Sequence, residues 1–186
     1  MVKLRFLAFL VLLLVGLSTI FGTITMKVAW AETVDPYGHP CSAAMNVFKN
    51  SLEILTNGEV KVELYPAGQL GDASSLLELV KKGIIQSAAS IPSGMIAGRY
   101  YSNLYMFDIP YLFDDAFTAW KILNPSTEFF KDLSEDMANK TNLRPLAFFV
   151  EGMRHFTNSK RPVKKVEDMK GLKIRVMEVP AHMEMV

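Results

Sequence analysis

The 186-residue sequence has a single cysteine, Cys41, and only three histidines. A lone cysteine forms no intramolecular disulfide, and metal ligands usually occur at close spacing, so we expect neither a disulfide framework nor a metal centre. Cysteine catalysis would need a base beside the thiol, but Pro40 separates Cys41 from His39 and no third group orients them. We therefore expect Cys41 to be a small hydrophobic residue at the start of a helix.

Motifs for common enzymatic chemistry are also missing. The sequence has no nucleophile elbow, no P-loop, no dinucleotide-binding glycine fingerprint, no HExxH and no CxxC. The adjacent acids Asp114-Asp115 and Glu135-Asp136 fall in helical contexts, where caps and solvated faces explain them better than general acid–base catalysis does. These absences predict a protein that is not an enzyme and that uses no cofactor.

Charge of one sign is not concentrated anywhere in the chain. The 20 lysines and arginines nearly balance the 19 aspartates and glutamates, and the formal net charge is +1. Nucleic-acid-binding surfaces need basic clusters, and none occurs. Half of the residues are hydrophobic, which is typical of a globular chain. We expect a globular protein with no nucleic-acid partner.

The long hydrophobic run is confined to the N-terminus. Lys3 and Arg5 precede an apolar stretch over 6–17, and small and polar residues follow it. This order predicts a signal peptide over 1–22, cleaved near Gly22, and export without disulfides favours the bacterial periplasm. An uncleaved anchor is the alternative, because the apolar stretch approaches the ~20 residues of a membrane span when residues up to Ile24 are included.

Beyond the signal, hydrophobic periodicity predicts strands over 24–32, 60–65 and 84–91, with helices over 42–56 and 73–82 between them. Asp72 is placed to cap the second of these helices. This β-α-β-α-β order predicts an α/β fold in which helices pack on a sheet.

The pattern after residue 91 is less regular. A loop-rich stretch over 92–110 precedes two short helices, the first beginning after Asp114 or Asp115 and the second at Ser126. Strands are predicted over 143–150 and 171–176, a single helical turn lies between them, and a helix begins near Pro180.

Arg154 and Arg175 are the candidate binding residues. Both lie on segments predicted to be extended, next to alternating apolar residues. The planar guanidinium can meet a carboxylate with two parallel hydrogen bonds. On spacing alone, an ordinary surface position for each arginine remains the alternative.

From about residue 24 the chain resembles the solute-binding proteins of TRAP transporters, the DctP-like family. The resemblance rests on YPAGQLGD (65–72), KKGIIQSAAS (81–90), DIPYLF (108–113) and, above all, GMRHFTNSKRPVKKVEDMKGLKIRV (152–176). It implies a periplasmic binding protein-like α/β architecture with two lobes. Residues 23–151 would form a nearly complete first lobe, and 152–186 would begin a second lobe that is truncated.

The resemblance also implies a function. Such a protein captures a small organic acid in the cleft between its lobes and delivers it to the membrane permease of the transporter. Arg175 would clamp the carboxylate and Arg154 would assist it. Glu32 and the loop from Ser90 to Ser93 would face the same cleft, although structural roles are the alternative for these three residues.

Two positions depart from the family pattern, since Met177 stands where proline is frequent and Gln86 where an acid is usual. Three other functions remain open. A membrane-anchored sensing ectodomain would retain residues 1–22, and an enzyme on a similar fold, such as a lyase, would turn over an acid. A truncated product would have no function.

Overall fold

The computed structural model describes residues 22–153, 155–177 and 179–184. Its sheet contains three parallel strands, β1 (Ile24–Ala29), β2 (Val60–Tyr65) and β3 (Ser87–Ala88), in the order β2-β1-β3. Helix α1 (Pro40–Leu55) connects β1 to β2, and α2 (Ala73–Lys81) connects β2 to β3. The predicted β-α-β-α-β order is therefore confirmed.

The central strand β1 becomes more buried from its first residue to its last. It pairs with β2 from Ile24↔Val60 to Ala29↔Tyr65, whereas β3 pairs only with its last two residues. The exposed fraction falls from 63% at Ile24 to 0% at Ala29. Only the last two residues of β1 are thus flanked by strands on both sides, and both are buried.

Two strands are shorter than predicted. β1 ends at Ala29 instead of residue 32, and β3 covers two residues instead of 84–91. The N–H of Ile84 donates to the Leu79 carbonyl (2.9 Å), so this residue still completes the end of α2. At the other end, Ser90 has a φ of 56°, which turns the chain out of the sheet.

Side-chain and backbone caps fix where the first helices begin. The Asp72 carboxylate accepts a hydrogen bond from the N–H of Ser75 (2.8 Å), which confirms the predicted cap and lowers the pKa of Asp72. α1 begins at Pro40, two residues before the predicted start. Proline suits the first helical position because the N–H of that position has no partner within the helix, and proline has no N–H to leave unpaired. The imidazole of His39 accepts from the N–H of Cys41 (3.3 Å).

The loop-rich stretch contains two elements that the periodicity did not predict, α3 (Ser93–Ala97) and a 3₁₀ helix over Ser102–Asp108. The two predicted short helices are α4 (Ala116–Leu123), capped by Asp115, and α5 (Glu128–Thr141), capped by Thr127 instead of Ser126.

A 3₁₀ turn at Val166–Met169 matches the predicted helical turn, and α6 covers Pro180–Glu184. Residues 143–150 and 171–176 belong to no strand in the described part of the chain, so these two strand predictions are wrong there. Alternating apolar residues do not make a strand unless a partner supplies the ladder of hydrogen bonds.

The largest core cluster lies where α2, α3, the first 3₁₀ helix and α5 meet. Its buried members are Leu77, Ala97, Tyr101, Leu104, Leu133, Met137 and Leu143. A second cluster joins the sheet to α2 through Ala29, Leu76 and Ile85. Burial of a large aliphatic side chain contributes about 1.5–3 kcal/mol, so these clusters fix α2 between the sheet and α5. Within the described ranges, no helix combines the length and apolar character that a membrane span requires.

Candidate functional site

The carboxyl edge of the sheet contains a topological switch point. The chain leaves β1 and forms β2 on one side of it, and then crosses to form β3 on the other side. The strand order therefore reverses between β1 and β3. In open α/β sheets, ligands bind outside the carboxyl ends of the strands at such a point.

Polar side chains from three parts of the sequence meet at this edge. Glu32 follows β1, and its Oε1 atom lies 2.8 Å from the Ser90 hydroxyl, which follows β3. The Oε1 atom of Glu151 lies 2.7 Å from the same hydroxyl, and His39 Nε2 lies 3.9 Å from Glu151 Oε1. We call Glu32, His39, Ser90 and Glu151 the switch-point cluster.

Hydrogen-bond donors are scarce in this cluster. The Ser90 hydroxyl carries one proton and can donate to only one of its two carboxylate neighbours at a time. The Oε2 atom of Glu32 is buried and has no hydrogen-bond partner among the described residues. Buried acceptors are normally paired, so this oxygen lacks the donor that a buried acceptor usually has.

The backbone at Ser90 is also unusual. Its φ of 56° places it in the left-handed region, which residues other than glycine rarely adopt. This conformation directs the chain from β3 towards α3 while the hydroxyl stays between the two glutamates. Uncommon backbone conformations of this kind concentrate at ligand sites.

The surroundings of Cys41 show that the local charge is negative. The side chain is fully buried and packs with Trp30 and Ala89. Burial raises the pKa of the Cys41 thiol to about 12, and the negative charges of Glu32 and Glu151 add to the shift. Cys41 is therefore an inert core residue at the start of α1, which confirms the interpretation of it as a small hydrophobic residue.

We predict that Cys41 reacts very slowly with a thiol reagent in the native protein. The nucleophile is the thiolate, and a pKa of about 12 leaves almost none of it at pH 8. Labelling by a disulfide reagent, followed by absorbance, should be slower than in denaturant by orders of magnitude. Equal rates in native and denaturing buffers would show that Cys41 is not buried.

The segment after Arg175 packs beside Gly94, the residue that follows Ser93. A β-carbon on Gly94 would lie 2.5 Å from Val179 Cγ1 and 2.7 Å from Asp108 Oδ2, so glycine permits this close approach. Val179 is fully buried, and His182 Nε2 lies 3.1 Å from Asp108 Oδ1. Val179 and His182, which follow Arg175 in the sequence, are thereby anchored to α3 and to the adjacent 3₁₀ helix.

The structure brings some of the predicted site residues together. Glu32 and Ser90 are in contact, and Ser93 begins α3 next to the Gly94–Val179 contact. Arg175 is exposed, on a segment without regular secondary structure. Arg154 lies outside the described residues.

Sequence reasoning missed Glu151 and His39. Glu151 is 61 residues from Ser90, and no local pattern predicts a contact over that separation. Its one sequence signal is its position directly before the GMRHFTNSK block. The described residues contain no group of three or more His, Cys, Asp or Glu side chains arranged to hold a metal ion.

Comparison with known proteins shows the family. The bacterial extracellular solute-binding protein family 7 (DctP) matches residues 31–186. The 2,3-diketo-L-gulonate-binding periplasmic protein YiaO of Escherichia coli strain K12 is 34% identical over 139 residues, which cover 75% of this chain and 41% of the relative.

Two crystal structures of TRAP periplasmic solute binding proteins are similar to this chain. The protein from Ochrobactrum anthropi has 28% sequence identity and a TM-score of 0.74, over 87% of this chain and 48% of that chain. The protein from Polaromonas sp. JS666, bound to D-erythronate, has 29% identity and a TM-score of 0.73, over 87% and 50%.

The chain therefore spans half or less of the length of these relatives. Their similarity confirms the predicted periplasmic binding protein-like α/β fold. The proposed limits of the two lobes, 23–151 and 152–186, stay predictions. From the match over most of its length, the chain belongs to the bacterial extracellular solute-binding protein family 7, the DctP family.

Proposed function

We propose that the protein, at its full natural length, is the extracytoplasmic solute-binding protein of a TRAP-type transporter. It captures a small organic acid and delivers it to the membrane permease. The position of the switch-point cluster carries this proposal. In a chain of a solute-binding family, a buried carboxylate oxygen of Glu32 without a partner lies at the edge of the sheet where α/β folds bind ligands.

The proposed site has two sides. Glu32, Ser90 and Ser93 contribute from the ends of β1 and β3, and Arg154 and Arg175 contribute from the later part of the chain. The exposed guanidinium of Arg175 is available for a carboxylate. The packing of Val179 beside Gly94 supports this arrangement, because Val179 lies four residues after Arg175 and Gly94 directly follows Ser93.

The proposed location is the periplasm, after cleavage of the predicted signal peptide. The family consists of extracellular solute-binding proteins, and the relative YiaO is a periplasmic protein. Almost all of the signal, 1–21, lies outside the described residues.

Closure of two lobes around an acid would present a new surface to the permease. Proteins of this family bind solutes for transport and are not enzymes, so the proposed protein carries out no chemistry on the acid.

Calorimetric titration of the full-length protein tests the proposal. We expect one or more small carboxylic acids to bind with micromolar or tighter affinity. The neutral amide of the same acid should bind roughly tenfold to a hundredfold more weakly, because it lacks the charge-assisted hydrogen bonds to arginine. Equal affinity for acid and amide, or no binding by any acid, would contradict the proposal. Turnover of the acid would favour an enzyme on this fold instead.

A further inference from the structure

We propose that residues 160–175, which we call the basic segment, form an electrostatic surface that attracts an anionic solute towards Arg175 and raises its association rate. The inference rests on the proposed function, because it assumes that Arg175 binds an acid. It adds a role for lysines that do not touch the bound acid. These lysines act on the encounter between protein and solute, before any contact is made.

The basic segment concentrates positive charge, which the even balance over the whole chain does not indicate. It contains seven lysines and arginines against two acidic residues, Glu167 and Asp168. All seven basic residues are exposed. The prediction that no basic cluster occurs is therefore wrong for this segment. Because the whole chain has a net charge of only +1, its remaining residues are net negative. An approaching anion is thus attracted to the basic segment and repelled elsewhere.

Hydrogen bonds within the basic segment hold it in a compact loop. The Asp168 carboxylate accepts hydrogen bonds from the backbone N–H groups of Lys164 (3.0 Å) and Lys165 (3.2 Å). The Nε atom of Arg161 donates to the Asp168 carbonyl (2.9 Å), and its Nη2 atom donates to the Lys170 carbonyl. Arg161 therefore ties the beginning of the segment to its middle, and the lysines of both parts belong to one loop.

Apolar side chains of this stretch face one another, and the basic ones lie outside. A small cavity is lined by Phe156, Thr157, Asn158, Val163, Met169, Leu172 and Ile174. Leu172 and Ile174 are partly buried, whereas Lys173 and Arg175, which alternate with them, are exposed. The local fold of the segment thus leaves its positive charges in solvent.

The lysines of the basic segment are also not neutralised by carboxylates. Among the described residues, none of the ion pairs includes one of these lysines. The Asp168 carboxylate instead accepts from backbone N–H groups. The lysines are Lys160, Lys164, Lys165, Lys170 and Lys173. Their field is therefore available to an approaching anion.

Chain connectivity keeps this field close to Arg175. Lys173 and Lys170 precede Arg175 by two and five residues, and five residues span at most about 18 Å. The contact between Arg161 and Lys170 brings the earlier lysines towards the same place. Salt screens exposed charges over about 30 Å at 0.01 M but over about 8 Å at physiological ionic strength. The attraction should therefore reach Arg175 fully at low salt and weaken as salt is added.

Stopped-flow measurement of association on the full-length protein, followed by tryptophan fluorescence, tests the inference. The probes are pyruvate, succinate, D-gluconate and benzoate, and each acid that binds in calorimetry is used. We expect the association rate constant to fall roughly threefold to tenfold between about 10 mM and about 500 mM sodium chloride, because salt screens the attraction. The rate constant for the neutral amide of the same acid should change by less than about twofold.

A double variant, Lys165→Gln with Lys170→Gln, connects the salt effect to the basic segment. It should lower the association rate constant roughly threefold at about 10 mM salt and have no effect at about 500 mM, with the dissociation rate constant unchanged. Lys61→Gln with Lys82→Gln is the matched control. It removes the same charge from exposed lysines at the amino edge of the sheet, in β2 and before β3, and should leave the association rate constant nearly unchanged.

The outcomes separate this inference from the proposed function. If acids bind but the double variant associates as fast as the unaltered protein at low salt, the inference is overturned and acid capture stands. A change confined to the dissociation rate constant would also overturn it, because it would show that these lysines contact the bound acid. If none of the four acids binds at millimolar concentration, the proposed function fails, and the inference with it. Lys164→Gln with Lys173→Gln serves the same test if the first double variant does not fold.

Discussion

Replacing Arg175 with alanine is expected to weaken binding of the preferred acid by at least about 1.5–3 kcal/mol, the contribution of a hydrogen bond to a charged group. The proposed guanidinium clamp meets the carboxylate with two parallel N–H donors, and alanine removes both. Isothermal titration calorimetry of the full-length protein gives the affinity directly. Because Arg175 is exposed, its removal should leave the free energy of unfolding nearly unchanged.

Arg175→Lys tests whether acid binding depends on the planar shape of the guanidinium or only on its positive charge. Lysine keeps the positive charge but presents a point charge in place of the planar fork, so much of the binding should still be lost. Arg144→Ala is the control, since Arg144 is also exposed but is not among the residues assigned to the proposed site. Unchanged affinity in Arg175→Ala would remove this residue from the site.

Gly94→Ala is expected to destabilise the protein by about 1–3 kcal/mol, the usual penalty for extra volume in a close-packed contact. The added β-carbon would lie 2.5 Å from Val179 Cγ1 and 2.7 Å from Asp108 Oδ2, so one of them must move. Gly94 lies in α3, where alanine would otherwise stabilise the helix. The sign of the change in a denaturant unfolding experiment therefore tests the contact.

A second substitution provides the control. Val179→Ala removes the methyl groups that the new β-carbon meets, so the double variant should be less destabilised than the sum of the two single variants. Gly98→Ala should have a smaller effect, because its added β-carbon would approach the end of the Tyr105 side chain at 3.0 Å. Additive effects at Gly94 and Val179 would show that the two residues are not in contact.

The Gly94 substitution should also affect function. Val179 lies four residues after Arg175, so a displaced Val179 would move the proposed clamp relative to Ser93. We expect Gly94→Ala to weaken acid binding, and Val179→Ala to restore part of it in the double variant. This coupling would distinguish a contact that positions the site from one that only stabilises the fold.

The elements with local signals could be predicted from the sequence. β2 has the predicted bounds because its apolar residues alternate cleanly over 60–65, and α2 begins after Asp72 because its carboxylate caps the first turn. The order of strands and helices, the caps of α4 and the inert role of Cys41 rest on the same kind of short-range chemistry.

The elements that depend on tertiary partners could not be predicted. Residues 171–176 alternate as a strand would, but alternation does not supply a neighbouring strand, and the described residues provide none. The 3₁₀ helix at Ser102–Asp108 is fixed by packing of Leu104 into the core cluster, which no local periodicity reports. Glu151 could not be predicted for the same reason, because its place in the switch-point cluster depends on a contact with a residue 61 positions away in the sequence.

The candidate site could be predicted in part. The family resemblance identified Glu32 and Ser90 as residues facing one cleft, and the structure places them in contact. The strand order adds the physical reason, since both follow the strands that flank the switch point. The contributions to binding stay predictions for all five proposed site residues, Glu32, Ser90, Ser93, Arg154 and Arg175.

A crystal structure of the full-length protein with a bound organic acid tests the central claim most directly. We expect the carboxylate within hydrogen-bond distance of the Arg175 guanidinium, and another part of the ligand in contact with the switch-point cluster. The ligand should lie at the carboxyl edge of the sheet between β1 and β3. An acid bound elsewhere, with Arg175 in solvent and the switch-point cluster unoccupied, would contradict the account.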